Sequence, residues 1–428
     1  MKIRYLPWGC ILGCLMLILP DRGFGQDTIK VIPDGTEGET LPLIDSTTKK
    51  KPFNSFNLGF TSFKIGVAFL YEYAGFSQDD EGKRQMDSAN VSLDPGFDVR
   101  DTRLFFSGKL KTKRTVTWKA GVMYDGSLNS WFLRESGIMI AVPELWGHIF
   151  VGRTKEGVSL SKVMSGYAVE MLERHMASDP IPILADGVKW MGFLPKQRIF
   201  WNLGIYADWL SKGQSFSTDS WQFASRLGWL PVYSEATKTH LHIAANIRLG
   251  HPVNDTIRIK SRPEANPAPF FMDSGKFRSD QSTYLGWEIY YSSGPWMLGT
   301  EYFWHKFSSP EKGDPVFNGG EVVVTYLFGG ESRPYTTAGG NIYGFVPVKK
   351  SVFKGGPGTW EAGLRYSIFN MNDGLVQAGK FWRVTPTVNW YLADFLRFEL
   401  SYGYGVLDRF NLKGATHFLQ SRIAFTIR

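Results

Sequence analysis

Cysteine is almost absent from this 428-residue chain: the two present, Cys10 and Cys14, both fall in an N-terminal segment that reads as a leader. With the leader removed no thiol remains, which excludes disulfides and thiol chemistry in the mature protein. Long apolar runs are also missing. After residue 19 nothing approaches the roughly 20 continuous apolar residues of a membrane helix, so a membrane-spanning fold would have to be a closed barrel. There are only seven histidines. His240 and His242 lie two apart, on one face of a strand, with no third ligand at metal spacing. Neither a metal nor a cofactor is expected. There is no Gly-x-Ser-x-Gly elbow and no evident nucleophile–histidine pair, which argues against a hydrolase. No basic stretch is interleaved with aromatics, which argues against nucleic acid as a partner.

What is present begins with a secretory pattern. Lys2 and Arg4 precede an apolar run from Cys10 to Leu19 that is too short to span a bilayer. Gly23-Phe24-Gly25 places small residues for cleavage before Gln26, giving a signal peptide over 1–25. Lipidation at Cys14 is the rival reading; Leu12 and the short preceding segment disfavour it. Residues 26–55 carry Pro33, Pro42, Pro52 and Lys49-Lys50-Lys51 and read as a flexible tether. With so few residues ahead of the first strand, a plugged, gated transporter is disfavoured. Residues 56–428 form the remaining domain. The leader holds Lys2, Arg4 and Arg22 against Asp21, so of the formal +8 the mature chain keeps +6. That excess suits small anionic solutes and lipopolysaccharide as partners.

The strongest pattern is alternation. From Phe395 to Leu407 one face reads Leu396, Phe398, Leu400, Tyr402, Tyr404, Val406, and the other is mostly polar or small, with Arg397, Glu399, Ser401, Gly403 and Gly405. Successive strand residues point to opposite faces. Aromatic outward faces and charged inward faces suit a wall with lipid outside and water inside. Sixteen such strands can be counted from residue 57 to 427, the weakest at 131–141. The fold predicted is all-β, a transmembrane antiparallel β-barrel in the bacterial outer membrane.

Strand parity orders the connections. With a periplasmic N-terminus, the long links 74–97, 155–186 and 251–282 are extracellular, whereas Lys111 to Arg114, Leu194 to Gln197 and Ser293-Gly294 are short inner turns. Residues 329–358 break the rule, being long and Gly-rich on the inner side, and are expected to fold into the lumen or plug its mouth. In 155–186, apolar residues from Leu160 to Leu172 fall at roughly helical spacing. This partly helical segment is expected to tuck inward as a constriction loop, with Lys162, Tyr167, Glu173, Arg174 and His175 at the narrowing; a lid at a subunit contact is the other reading. His175, near Glu173 and Asp179, reads as a solvated loop histidine.

Putting the apolar series outward sends Arg103, Lys109, Lys119, Arg226, Arg248, Arg365, Arg383, Arg397 and Arg422 into the lumen. Asp101, Asp125, Asp208, Glu288, Glu301, Glu321, Glu361 and Glu399 go with them. Nine basic residues against eight acidic make a wall near neutrality. The 155–186 loop adds a net −2 and 329–358 a net +3. Anion guidance by the arginines and Lys109 requires these charges to segregate locally; otherwise they are Arg–Glu pairs bracing the wall.

Several segments resemble the phosphate-selective porin O and P family. They are Gly329-Gly330-Glu331-Ser332-Arg333-Pro334-Tyr335, Gly358-Thr359-Trp360-Glu361-Ala362-Gly363-Leu364-Arg365-Tyr366-Ser367 and Asn372-Asp373-Gly374. Asp101-Thr102-Arg103-Leu104-Phe105-Phe106-Ser107-Gly108-Lys109 is similar to the family's early strand, and Val151-Gly152-Arg153-Thr154-Lys155 to the approach to its constriction loop. The resemblance implies a 16-stranded barrel, usually trimeric, with inward loops and basic side chains guiding anions. The C-terminal Phe425-Thr426-Ile427-Arg428 departs from the aromatic ending typical of such barrels, and no phosphate-site lysine carries over to a particular position. The expectation is an outer-membrane porin passing small hydrophilic solutes by diffusion, anions such as phosphate favoured. The alternatives are a non-selective porin, or a barrel acting as an enzyme or a surface-binding protein.

Overall fold

Sixteen long strands form the wall. In the computed structural model, which describes residues 52–126, 128–207, 209 and 219–428, they run β1 Thr61–Gln78, β2 Gly96–Leu110, β3 Val116–Asp125, β4 Ser136–Val142 and β5 Gly147–Thr154. Then come β6 Ala185–Leu194, β7 Ile199–Ala207, β8 Asp219–Ser234, β9 Thr239–Pro252, β10 Gln281–Ser293 and β11 Trp296–Ser308. The last five are β12 Val316–Phe328, β13 Thr359–Asp373, β14 Val376–Ala393, β15 Leu396–Arg409 and β16 Leu412–Ile427. Each pairs antiparallel with the next, and β1 pairs with β16 from Val67↔Ile427 to Gln78↔Thr416, closing the barrel. Closure pairs each wall strand with a neighbour on both sides, which is what lets strands cross lipid without an open sheet edge. The expected signal peptide and residues 26–51 of the expected tether lie outside the described residues. Ser55, placed in the tether by its sequence, already belongs to a short strand, Ser55–Leu58, paired with Thr61–Lys64.

The alternation sets the faces. On β16, Leu419 and Ile423 point outward and are 52% and 44% exposed, while Gln420 and Arg422 are buried inside. The expected strand 131–141 is broken. Ser130–Leu133 pairs with the upper half of β3 and β4 with its lower half. At the break Arg134 and Glu135 turn inward and pair with one another, and the Arg134 N–H still donates to the Gly121 carbonyl at 2.8 Å.

The lumen is crowded. The outer loops 155–184 and 253–280 both fold into it, and the inner segment 329–358 enters from the other end. Met176, Ala177, Phe271, Met272 and Phe277 of the outer loops pack on inward-facing Phe303, Phe307, Phe317, Phe369, Phe381 and Phe418 of the wall. A phenylalanine facing open water would gain nothing, whereas burying each contributes about 1.5–3 kcal/mol. These rings explain why the loops lie on the wall. A helix, α1 (Asp80–Ser88), is capped by Asp79, which accepts from Gly82 N–H at 2.7 Å. Its Gln85 amide donates to the carbonyls of Leu407 and Leu412, both at 2.8 Å, fixing α1 to the rim of β15 and β16.

Candidate functional site: a cationic cavity beside the inward loop

The loop 155–184 is fastened from two sides. Ser159, at φ 68°, caps a short turn over Leu160–Val163, and two wall glutamates receive that turn. Leu160 N–H donates to Glu288 at 2.6 Å and Ser161 N–H to Glu301 at 2.9 Å; the Ser159 hydroxyl donates to Glu301 at 2.6 Å. Farther on, the loop's carbonyls accept from cations and an amide in turn. Ala168 O accepts from Arg333 at 2.5 Å, Val169 O from Arg397 at 2.9 Å and Glu170 O from Asn389 at 2.7 Å. Leu172 O accepts from Arg422, and Glu173 O from Arg365 at 2.8 Å.

This consumes most arginines that the alternation had sent into the lumen. Arg226 pairs with Glu288 and donates to Gly340 O at 2.5 Å. Arg248 lies between Glu156 at 2.6 Å and Asp219 at 2.5 Å. Arg365 pairs with Glu264, and Arg397 with Glu399 at 2.9 Å. Arg383 has no carboxylate partner among the described residues; its donors go to Pro263 O and the Gln420 side chain, both at 2.5 Å. All five are buried. They face inward as the alternation requires, but they do not line open water, because the loops cover them. Lys109 is exposed, on the inward face at the lower end of β2.

Space remains between the loop and β1–β4. A cavity of about 220 Å³ is lined there by Arg100, Arg103, Arg134, Lys162, Arg174 and Arg422, against Asp101, Asp125, Glu173 and Asp179, with Leu70, Met123 and Ile181 as apolar wall. The sequence-derived residues Arg103, Arg422, Lys162, Glu173 and Arg174 thus come together. Tyr167 lies beside them, its hydroxyl donating to Asp101 and its ring under the Arg103 guanidinium at 4.6 Å. His175 does not join them: it is fully buried, 3.3 Å from Glu301 and stacked on Phe303, so the solvated histidine is corrected to a packed one.

The cations here differ in how far they are compensated. Arg100 donates to Glu173 at 3.0 Å, and Arg422 reaches both Glu173 and Glu72. Burial alone would raise Glu173, but Arg100 and Arg422 outweigh it and hold the carboxyl at about 2. Arg103 donates to Asp101 at 2.7 Å. Arg174 spends its guanidinium on the carbonyls of Ser161 at 2.5 Å and Met164 at 2.8 Å. The Lys162 ammonium has no hydrogen-bond or ion-pair partner among the described residues. Burial pushes its pKa down to about 8, with Asp179 opposing and the charges of Arg174 and Arg100 adding to the fall.

Two of the lining cations escape a strict reading of the strand pattern. Arg100 sits where Asp101 pairs with Leu70 and Val99 with Tyr71, so a bulge re-aims it inward. Arg134 sits at the break before β4. Glu72 was visible in the pattern, two residues beyond inward Leu70, and completes the Arg422 cluster.

The family pattern of phosphate-selective porin O and P matches residues 64–425. An uncharacterised protein of Caulobacter vibrioides is 28% identical over 182 residues, 42% of this chain and 35% of that protein, so the match spans about a third of the relative's length. Among solved structures, an anion-selective porin from Comamonas acidovorans is 11% identical, with TM-score 0.52 over 85% of this chain and 100% of that one. OmpT of Vibrio cholerae in a trimer form is 11% identical, TM-score 0.52, over 86% and 100%. OmpF of Salmonella typhi in complex with daunomycin is 10% identical, TM-score 0.53, over 87% and 100%. At these identities the likeness is one of fold: a closed 16-stranded barrel of the bacterial outer membrane. With nearly the whole barrel matched, the chain belongs to the phosphate-selective porin O and P family of outer-membrane porins.

Proposed function

We propose that this porin passes small hydrophilic solutes by diffusion and favours anions, phosphate among them. The observation that carries the reading is the cavity beside loop 155–184, where six cations meet four carboxylates and Lys162, whose ammonium has no hydrogen-bond or ion-pair partner among the described residues, lines the space. Charge focused in a cleft with low-dielectric walls raises the local concentration of counter-ions. Guanidinium adds geometry, since it can hold an oxyanion through two parallel hydrogen bonds. In this reading Lys162, Arg174, Arg103, Arg100 and Arg422 guide the anion, and Arg226, Arg248, Arg365, Arg383 and Arg397 hold the loops that shape its path. Lys109 would extend the cationic wall toward the periplasmic end. Residues 26–54 remain a proposed tether, and the loop expected over 155–186, which runs over 155–184 between β5 and β6, the proposed constriction.

A homotrimer is the proposed assembly, supported by the trimer form of the Vibrio cholerae relative; lipopolysaccharide is the proposed lipid partner of a mature chain carrying +6. The non-selective alternative draws support from the compensated wall, since Arg226, Arg248, Arg365 and Arg397 are all ion-paired. Reversal potentials in planar bilayers under asymmetric potassium chloride, repeated with added phosphate, decide between them. Anion preference with a chloride current inhibited by phosphate supports the proposal. A reversal potential at the non-selective value leaves the non-selective porin.

A further inference from the structure

Three wall glutamates stand side by side. Glu288 of β10 pairs with Glu301 of β11, and Glu301 with Glu321 of β12, so three like charges occupy directly opposed positions on neighbouring strands. Such pairs repel, and all three are buried. Two have cationic neighbours: Glu288 has Arg226, with His242 at 3.8 Å, and Glu321 has Arg365 at 3.6 Å. Glu301, in the middle, has neither arginine nor lysine as a partner among the described residues.

Its partners come mostly from loop 155–184. Ser159 hydroxyl donates at 2.6 Å, Ser161 N–H at 2.9 Å and Ser161 hydroxyl at 3.3 Å; His175 Nε2 lies at 3.3 Å. Among the described residues the wall supplies only the Tyr290 hydroxyl, at 3.2 Å. Arg365 also faces His175, its charge opposing protonation, and Glu170 of the loop and Tyr290 of the wall lie near the cluster. Glu264 of loop 253–280 accepts from Met176 N–H at 3.1 Å and pairs with Arg365. A buried carboxylate whose donors belong to a loop is stable only while that loop is seated.

We propose that Glu301 is the positioning residue that seats loop 155–184 at the pore constriction, and that the protonation of His175 sets the pH range over which the loop stays seated. The proposal rests on the porin reading above. The sign follows from the charges. Burial acts to lower His175, but Glu321 and Glu301 outweigh it and raise it above its usual value. Below that raised value the imidazolium offsets Glu301 and Glu321. As pH rises through it the cation is lost, the carboxylates are left facing one another, and the loop loosens.

Single-channel recording of the full porin in planar bilayers tests this, with closing events and open-channel noise as readout and reversal potential taken from the same records. Wild type is expected to be quiet at pH 6 and to close severalfold more often at pH 9. His175→Gln should lose that pH slope. Glu301→Gln removes the charge but keeps an acceptor, and should stay quiet with a flat pH profile, whereas Glu301→Ala should close often at every pH. Lys162 also titrates in this range, so Lys162→Gln is the control that must keep the slope. A slope surviving in His175→Gln, or a Glu301→Ala channel as quiet as wild type, overturns the proposal. Should anion selectivity fail instead, the reversal potential shows it while the closing pattern stays intact, so the two failures are distinguishable.

Discussion

Arg333, on the inner segment 329–358, grips Glu361 of β13 with one nitrogen placed 2.7 and 2.9 Å from the two carboxylate oxygens. Its other terminal nitrogen donates to Ala168 O of the outer loop at 2.5 Å. One side chain therefore ties together the wall, the segment entering from the periplasmic side and the loop entering from outside. Both partners of this pair are buried.

Removing one member of such a pair leaves an uncompensated buried charge, at a cost of about 3–5 kcal/mol. Arg333→Met should therefore destabilise the barrel by that order and expose 329–358 to protease. The double variant Arg333→Met/Glu361→Met should recover much of the loss, because the buried charge is gone as well. Urea unfolding in detergent and limited proteolysis read both effects.

The wall's register makes a second prediction. Ile423 is lipid-facing and Thr426, 8% exposed, faces inward. An arginine on the lipid face at mid-bilayer costs roughly 2–4 kcal/mol. Ile423→Arg should reduce the heat-modifiable band on unboiled detergent gels more than Thr426→Arg does. Equal loss in both would mean the register is displaced by one residue.

How much of this was legible in the sequence differs from element to element. The set of sixteen wall strands and most of their faces were, the broken 131–141 apart, because a period of two is set by the backbone and survives changes of side chain. Arg422 and Gln420 fall on their observed faces by alternation alone. Arg100 does not, since a bulge shifts the period locally and nothing in Val99-Arg100-Asp101 marks it. Loop 253–280 was visible as long, but its inward course depends on distant partners such as Gln420 and Arg383, both hydrogen-bonded to Glu264 O. His175 looked solvated because its acidic sequence neighbours, Glu173 and Asp179, are not its partners; Glu301, 126 residues away, is.

The same distinction reorders the selectivity residues. Arg383 is spent on Pro263 O and Gln420, whereas Lys162 faces the cavity. Lys162→Glu should move the reversal potential toward cations, and Arg383→Gln should leave it near the wild-type value while weakening the fold. The shift should shrink at 1 M salt, where screening falls to about 3 Å.

Lys162 should also give selectivity a pH dependence. With its pKa lowered to about 8, it is charged at pH 6 and largely neutral at pH 9. Anion preference should decline across that interval. Lys162→Arg keeps its charge throughout and should flatten the profile. Reversal potentials at pH 6, 7, 8 and 9 check this, and an unchanged slope in Lys162→Arg would assign the titration elsewhere.

The last prediction concerns a place where the wall makes room for an arginine. Arg383 crosses in front of Gly403 and lies 4.3 Å from the centre of the Phe418 ring. A Cβ at Gly403 would come within 2.4 Å of two guanidinium nitrogens. Real Cβ atoms do not approach so closely, so Gly403→Ala must displace Arg383. The displaced side chain loses its bonds to Pro263 O, Glu264 O and Gln420, which hold the tip of loop 253–280 against β14 and β16. Overpacking of this kind costs about 1–3 kcal/mol. Gly403→Ala should lower the urea midpoint and admit protease to 253–280, while 329–358, held separately by Arg333, stays protected. Adding Arg383→Ala frees the space, so the double variant should unfold at the midpoint of Arg383→Ala alone. A further drop on combining the two would show that the crowding at Gly403 lies with some other neighbour.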